Sequence, residues 1–191
     1  NCIEFNCLFS NTLLTSGYHT IHLGKYGLQG WGNSPEKWAG YPTKRGFDYF
    51  YGYVRHVDGH QHYPANFWKL GDNKSHQQKK EVWENNREVS SGLDKCYTTD
   101  LWTAKAKQLI IDRTKKNPKT PFFMYLAYDT PHAALQLPTT PYPDGKGIKG
   151  GLEWLGAPGK MINTAKGTID SYRDPIYTNK GLTEVAERFA T

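Results

Sequence analysis

The sequence has few cysteines and no long hydrophobic run. Three cysteines occur in 191 residues, Cys2, Cys7 and Cys96, without CxxC spacing, so neither a zinc site nor a disulfide framework is specified. No segment approaches the roughly 20 apolar residues of a membrane span. The N-terminus lacks a basic region followed by an apolar run, which is the pattern of a signal peptide. We therefore expect no membrane span, and the residues themselves indicate no localisation.

Positive charge is present but is not concentrated. The formal net charge is +6 at pH 7, yet Lys and Arg are spread through predicted loops and one helix, not along a stripe interleaved with aromatics. Nucleic acid is therefore not an expected partner. A hydrophobic fraction of 37% with 14% aromatics is enough for a packed core. We expect one globular domain or a large part of one.

Both chain ends predict a piece of a longer protein. The first residue is Asn1, not Met, and a helical pattern that begins at Leu182 stops in mid-helix at Thr191. A helix normally ends at a capping residue, which this pattern lacks.

Two segments predict strands of one sheet. Residues 19–23 alternate polar and apolar side chains up to Gly24, which is typical of a strand that ends in a turn. Residues 121–127 are a nearly continuous apolar run, the pattern of a strand buried on both faces. Residues 9–16 resemble the end of a helix closed by Gly17.

A predicted helix leads into the second strand. Residues 98–100 form an N-cap cluster, and an apolar stripe follows as far as about Lys115, which predicts an amphipathic helix. A helix followed by a buried strand favours a parallel or mixed α/β sheet.

Long segments separate these elements. Residues 31–63 are rich in Gly, Pro, His and aromatics and predict a packed excursion without regular elements. The pairs 67–68 and 82–83 flank a polar stretch and predict a surface hairpin of two short strands. Residues 137–177 are again rich in Pro and Gly.

Polar residues follow the two predicted strands. Lys25 comes directly after Gly24, and His132 lies in the Thr-Pro-His sequence after residue 127. Ligands bind at the carboxyl ends of strands in open α/β sheets, so Lys25 and His132 are candidates for one anionic site. Taken alone, Lys25 is more typical of a solvated turn, and His132 is equally typical of a histidine hydrogen-bonded to a loop.

A histidine-rich run, residues 56–62, adds further candidates. Imidazoles and a carboxylate at short spacing can share a divalent ion, but spacing within a loop does not specify one. We expect a single functional histidine there, His60, with His56 and His62 as alternatives. Asp48 is interpreted as a turn residue that accepts backbone hydrogen bonds.

Three segments together resemble the formylglycine-dependent sulfatases of the alkaline phosphatase superfamily. They are Gly17-Tyr18-His19-Thr20 with Gly24-Lys25-Tyr26-Gly27-Leu28, then residues 44–53, and residues 121–127 followed by Pro131-His132. Residues 60–68 and 151–154 resemble arylsulfatase-type members. The resemblance identifies residues 12–191 as the central part of a sulfatase catalytic domain and leaves residues 1–11 unassigned.

The resemblance implies a fold and a chemistry. The fold is a three-layer α/β/α sandwich with a mostly parallel sheet, incomplete in this chain. The nucleophile is a formylglycine made from Cys or Ser, and a divalent cation, Ca²⁺ or Mg²⁺, holds the sulfate oxygens. Lys25 matches a lysine that contacts formylglycine and sulfate, and His132 matches a histidine near the leaving oxygen. His60 is the candidate for a histidine that many members carry at the position of Gly27.

Parts of the family pattern are missing. The Cys/Ser-x-Pro-x-Arg motif, the Asp-Asp pair and the later Asp-Asn-Gly ligands do not occur, and Cys7 lacks the Pro and Arg that should follow it. We expect the fragment alone to be inactive. The expected substrate is a sulfated small molecule or a sulfated glycan. The alternatives are a phosphoester or phosphonate hydrolase and a non-catalytic protein that binds sulfated glycans. The resemblance implies a secreted, periplasmic or lysosomal protein.

Overall fold

The computed structural model describes residues 9–64, 80–91, 93, 96–132, 135–138, 152–154, 161–163 and 172–191, with the backbone alone for 152–154 and 161–163. Within these ranges no helix is long and apolar enough to cross a membrane. The elements in chain order are α1 (Phe9–Thr15), β1 (His19–Lys25), β2 (Tyr49–Tyr53), β3 (Val82–Glu84), β4 (Arg87–Glu88), α2 (Thr98–Lys116), β5 (Phe122–Ala127), β6 (Leu152–Trp154), β7 (Met161–Asn163) and α3 (Glu184–Ala190). Two 3-10 helices, Pro42–Lys44 and His56–His60, flank β2.

The main sheet has five strands in the order β4-β3-β2-β1-β5. Strand β1 is parallel to both β2 and β5, whereas β3 is antiparallel to β2 and to β4. The predicted α/β class is confirmed, with a parallel half and an antiparallel half. Strands β6 and β7 form a separate antiparallel pair.

Strand β2 contradicts the expectation that residues 31–63 hold no regular element. All but one of its residues are aromatic, and four of the five are buried, so no polar–apolar alternation marks it. In the described sheet β3, which contains residues 82–83, pairs with β2 and β4, and the predicted hairpin would need residues 67–68 as its other strand. Those residues lie outside the described ranges.

The sheet is covered on both faces, as a three-layer sandwich requires. On one face Ile21 and Leu23 pack with Leu101 and Trp102 of α2. On the other face Phe123 contacts Phe9 of α1, with ring centroids 5.3 Å apart. Side chains alternate between the faces of a strand, and the two helices therefore contact different sets of strand residues. Helix α2 buries its apolar side on the sheet, whereas Phe9 of α1 is 66% exposed.

Two details of the predicted elements are wrong. Strand β5 lies at the edge of the described sheet, so it is not buried on both faces, and Tyr125 is 53% exposed. The N-cap of α2 is Tyr97, without a capping side chain. Thr98 does not cap the helix because its hydroxyl donates a hydrogen bond to Asp129.

A glycine allows β1 to approach β5 closely. Gly24 has φ +96°, and a Cβ there would lie 1.9 Å from the carbonyl oxygen of Ala127. No other residue fits this backbone without moving β5. The close approach places the carboxyl ends of β1 and β5 side by side.

A buried ion pair ties α2 to β3. Lys105 Nζ lies 2.7 Å from Glu84 Oε1 and 4.6 Å from the ring centroid of Tyr51. Burial lowers the pKa of Lys105 to about 8, although Glu84 opposes this shift. Because the lysine and the glutamate are paired with each other, neither leaves an uncompensated charge in this part of the core.

Candidate functional site

The carboxyl ends of β1 and β5 bring the predicted site residues to one edge of the sheet. Gly24 is in register with Ala127, so Lys25 and the 128–132 turn leave the sheet together. Thr130–Pro131 is a cis peptide bond. The predicted proximity of Lys25 and His132 is consistent with this register, and Lys25 is near enough to lower the pKa of His132.

Lys25 reaches the site past a glycine in the 3-10 helix. A Cβ on Gly59 would lie 2.5 Å from Cδ and 2.8 Å from Cε of Lys25. The absence of a side chain at Gly59 therefore creates the channel for the lysine stem. Partial burial lowers the pKa of Lys25, and the negative charge of Asp129 opposes that shift.

His132 stacks on His60. Their ring centroids are 4.8 Å apart and the rings are inclined by 23°. Burial is the largest cause of the lowered pKa of His132, and the positive charge of Lys25 is the second. Both effects favour the neutral form of the imidazole. Its Nδ1 is buried, and no described residue is a hydrogen-bond partner for it.

The three histidines of the 56–62 run have different neighbours. His60 Nε2 lies 3.2 Å from His56 Nε2, so one of these nitrogens donates a hydrogen bond to the other. A Cβ on Gly27 would lie 3.8 Å from His56 Nδ1, which places His56, not His60, beside Gly27. The structure brings His60 to His132 and His56 to Gly27.

His62 forms a buried pair with Asp129, a residue that sequence reasoning missed. His62 Nδ1 lies 3.1 Å from Asp129 Oδ2, and the side chains are 1% and 0% exposed. Asp129 also accepts hydrogen bonds from Thr98 Oγ1, at 3.0 Å, and from Trp102 Nε1, at 3.0 Å. The one sequence signal for Asp129 is its position as a carboxylate just after the apolar run of β5.

Asp48 has the structural role that the sequence predicts. Its Oδ2 accepts a hydrogen bond from the backbone N–H of Thr20, at 3.0 Å, and lies 3.2 Å from His19 Nδ1. These contacts fix the start of β1 against the turn before β2, at the edge of the sheet opposite Lys25.

A cavity of about 780 Å³ adjoins His132. His62 and His132 line it, together with Asp100 at the start of α2 and residues from α3. Lys25 and His60 are not among its lining residues. The edge of the sheet thus has a basic side, with Lys25, His60 and His56, and a cavity side that contains carboxylates.

The described residues do not fit a divalent cation. Across those ranges no group of three or more His, Cys, Asp or Glu side chains is placed to hold a metal ion. Asp129, the buried carboxylate that contacts His62, already accepts hydrogen bonds from three donors. Cys96 is buried in the core beside β2, and Cys2 and Cys7 lie outside the described ranges.

Comparison with known proteins defines the family. A sequence model of the Sulfatase family matches residues 6–153, and the chain belongs to this family. Arylsulfatase J of Mus musculus is 27% identical over 140 residues, which cover 72% of this chain and 21% of that protein. The uncharacterized sulfatase YdeN of Escherichia coli (strain K12) is 28% identical over 193 residues, covering 90% of this chain and 28% of that protein.

A solved structure agrees with this assignment. The crystal structure of Ps i-CgsB in complex with k-i-k-neocarrahexaose is 29% identical, with a TM-score of 0.51, and the match covers 70% of this chain and 29% of that one. The chain therefore spans between about a fifth and three tenths of the relatives it matches.

Proposed function

We propose that the complete protein carrying this chain hydrolyses sulfate esters and that Lys25, His132 and His60 form part of its active site. The observation that carries the proposal is their placement at one sheet edge. His60 stacks on His132 at 4.8 Å, and Lys25 influences the pKa of His132. A lysine and two stacked histidines at the carboxyl ends of parallel strands suit an anionic group.

Each side chain has a chemical task in this proposal. Lys25 supplies a positive charge for the sulfate oxygens, where charge accumulates in the transition state. His132 in its neutral form donates an N–H hydrogen bond to the oxygen of the leaving alcohol. His60 packs against His132 and holds its ring in place, and His56 fixes His60 through the 3.2 Å contact.

A sulfated carbohydrate is the substrate class that we propose. The family assignment supports a sulfate ester, and the similar Ps i-CgsB was crystallised with a neocarrahexaose. The resemblance adds a formylglycine nucleophile and Ca²⁺ or Mg²⁺. Because the described residues do not fit the cation, the proposal assigns tasks only to this chain's own lysine and histidines.

The test is hydrolysis by the complete protein, produced with a formylglycine-generating enzyme and supplied with calcium. Release of sulfate from 4-nitrophenyl sulfate and of phosphate from 4-nitrophenyl phosphate is measured. Lys25→Ala and His132→Ala should each lower kcat/KM for the sulfate by about 10²–10³-fold. The control is Lys115→Ala, an exposed lysine in the last turn of α2, which should retain full activity.

Three results would contradict the proposal. Phosphate release without sulfate release would favour the phosphoester branch. Release of neither product, including from sulfated sugars, by a folded protein would favour a binding protein. Full activity of Lys25→Ala and His132→Ala would show that these two residues are not part of the active site, and the proposal of sulfate-ester hydrolysis would still stand.

A further inference from the structure

The cavity beside His132 contains a carboxylate oxygen with no hydrogen-bond partner among the described residues. Asp100 is 5% exposed, lines the cavity, and its Oδ2 is buried without a hydrogen bond. Leaving a buried polar atom unpaired costs on the order of 1–3 kcal/mol. Such atoms are uncommon in folded proteins, and an ordered water, an ion or a functional role usually accounts for them.

The environment of Asp100 supports this interpretation. Asp100 lies in the first turn of α2, where the helix dipole favours negative charge. Burial nevertheless raises the pKa of its carboxyl group to about 7. A hydrogen-bond donor from a bound molecule would stabilise the charged form.

A second polar atom of the cavity lining, a ring nitrogen of His62, also has no hydrogen-bond partner within the described part of the chain. His62 lines the cavity, and its Nε2 is buried without a hydrogen bond. Its Nδ1 faces the carboxylate of Asp129 at 3.1 Å, and an ionised carboxylate only accepts hydrogen bonds. In the tautomer that donates from Nδ1 to Asp129, Nε2 is an acceptor. The cavity thus offers two acceptors that need donors.

The rest of the lining narrows the chemistry of the ligand. Tyr97 and Tyr172 provide aromatic surface, and Asp174 adds a second carboxylate. Two carboxylates oppose the entry of a sulfate group. The cation of the lining, Arg188, donates a hydrogen bond to the carbonyl oxygen of Leu135, at 2.9 Å. An uncharged molecule with several hydroxyl groups fits acceptors and aromatic surface together.

We propose that this cavity binds the hydroxyl-bearing sugar ring of the substrate, the part released as the alcohol, and that Asp100 Oδ2 and His62 Nε2 accept hydrogen bonds from its hydroxyl groups. The inference rests on the proposed function, because the sulfate is assigned to the basic side of His132. It makes Asp100 a specificity-determining residue that favours sugar sulfates over aryl sulfates.

The test compares two kinds of substrate in the complete protein. The sugar probe is the best substrate among galactose 4-sulfate, galactose 6-sulfate and glucosamine 6-sulfate, and 4-nitrophenyl sulfate is the probe without hydroxyl groups. Asp100→Asn should lower kcat/KM for the sugar sulfate by about 10–100-fold, the value of a hydrogen bond to a charged group. The loss for the aryl sulfate should be at least about tenfold smaller.

A matched control and a second measurement separate binding from folding. Asp112→Asn changes a carboxylate further along α2, where Asp112 lies near the exposed Lys116, and should leave the ratio of the two kcat/KM values unchanged. The desulfated sugar should inhibit the unaltered protein competitively. Its inhibition constant should rise in Asp100→Asn by the same factor as the loss of kcat/KM.

The outcomes distinguish this inference from the proposed function. If 4-nitrophenyl sulfate is hydrolysed but Asp100→Asn lowers both activities equally, the cavity assignment is wrong and the sulfatase function stands. The same conclusion follows if no sugar sulfate is a substrate. If no sulfate ester is hydrolysed, the proposed function fails, and this inference fails with it.

Discussion

Two buried carboxylates near the start of α2 differ in their hydrogen bonds. Asp129 has a fully buried side chain and accepts hydrogen bonds from His62, Thr98 and Trp102. Asp100 is nearly as buried, yet its Oδ2 accepts none. The first turns of α2 thus supply donors to Asp129, whereas Oδ2 of Asp100 is left buried without a donor from the described residues.

The two carboxylates therefore have different roles: Asp129 stabilises the fold, and Asp100 is assigned to a ligand. Asp129 joins β5 to α2 and to the segment of His62, so its contacts fix the position of the histidine ring. Asp100 joins nothing through Oδ2, and its burial costs stability. Proteins tolerate such costs where function requires them, and this contrast provides the basis for the following predictions.

The largest expected effect is on Asp129. Asp129→Ala leaves the donors of His62, Thr98 and Trp102 buried without an acceptor, and should lower the free energy of unfolding of the complete protein by about 3–5 kcal/mol. Urea denaturation followed by tryptophan fluorescence measures the change. Asp112→Ala on α2 should remain within about 0.5 kcal/mol of the unaltered protein. If the two variants have equal free energies of unfolding, the buried hydrogen bonds to Asp129 contribute no measurable stability.

A smaller effect, on activity and not on stability, is expected at Gly59. Its φ is not positive, so alanine is compatible with the backbone, but the new Cβ would lie 2.5 Å from Lys25 Cδ. The flexible lysine stem must move. Displacement of a catalytic group by about 1 Å can cost about 10²-fold, and we expect Gly59→Ala to lower kcat/KM by that order.

A double-mutant cycle sharpens this prediction. In the Lys25→Ala background the stem is absent, so Gly59→Ala should cause little further loss of kcat/KM. If the two losses of kcat/KM are fully additive, Gly59→Ala acts by a mechanism that does not involve the Lys25 side chain. The melting temperature should change little in either background.

The strands of the sheet can be predicted from the sequence where their own residues show a recognisable apolar pattern. Strand β1 shows alternation up to Gly24, and β5 is a continuous apolar run. Strand β2 gives no such signal because its aromatic side chains are buried on both faces and have no period. Its neighbours β3 and β4 are three and two residues long, too short for periodicity to identify.

The candidate site is predictable in part for the same reason. Lys25 and His132 stand out because each follows a recognisable strand. The pairing of His62 with Asp129, and the cavity, depend on how α2 docks beside the histidine segment, where the N–H of Thr98 donates to the carbonyl oxygen of His62 at 2.8 Å. No local pattern encodes a contact between residues so far apart in sequence.

The smallest expected effect is the pH dependence of stability at Asp100. Burial raises its pKa from 3.8 to about 7 in the folded protein. The folded protein therefore binds the proton more tightly than the unfolded chain. The stability contributed by protonated Asp100 is greatest below about pH 4 and is lost as the pH rises through 7. Asn does not titrate, so Asp100→Asn abolishes this loss.

Relative to the unaltered protein, Asp100→Asn should therefore gain about 2 kcal/mol in free energy of unfolding between about pH 5 and pH 8. Urea denaturation of both proteins at each pH measures the difference, in which the titration of all other groups largely cancels. A difference that does not change with pH would mean that Asp100 is already ionised with a partner. In that case Asp100 would belong with Asp129 among the paired carboxylates, and the contrast between them would disappear.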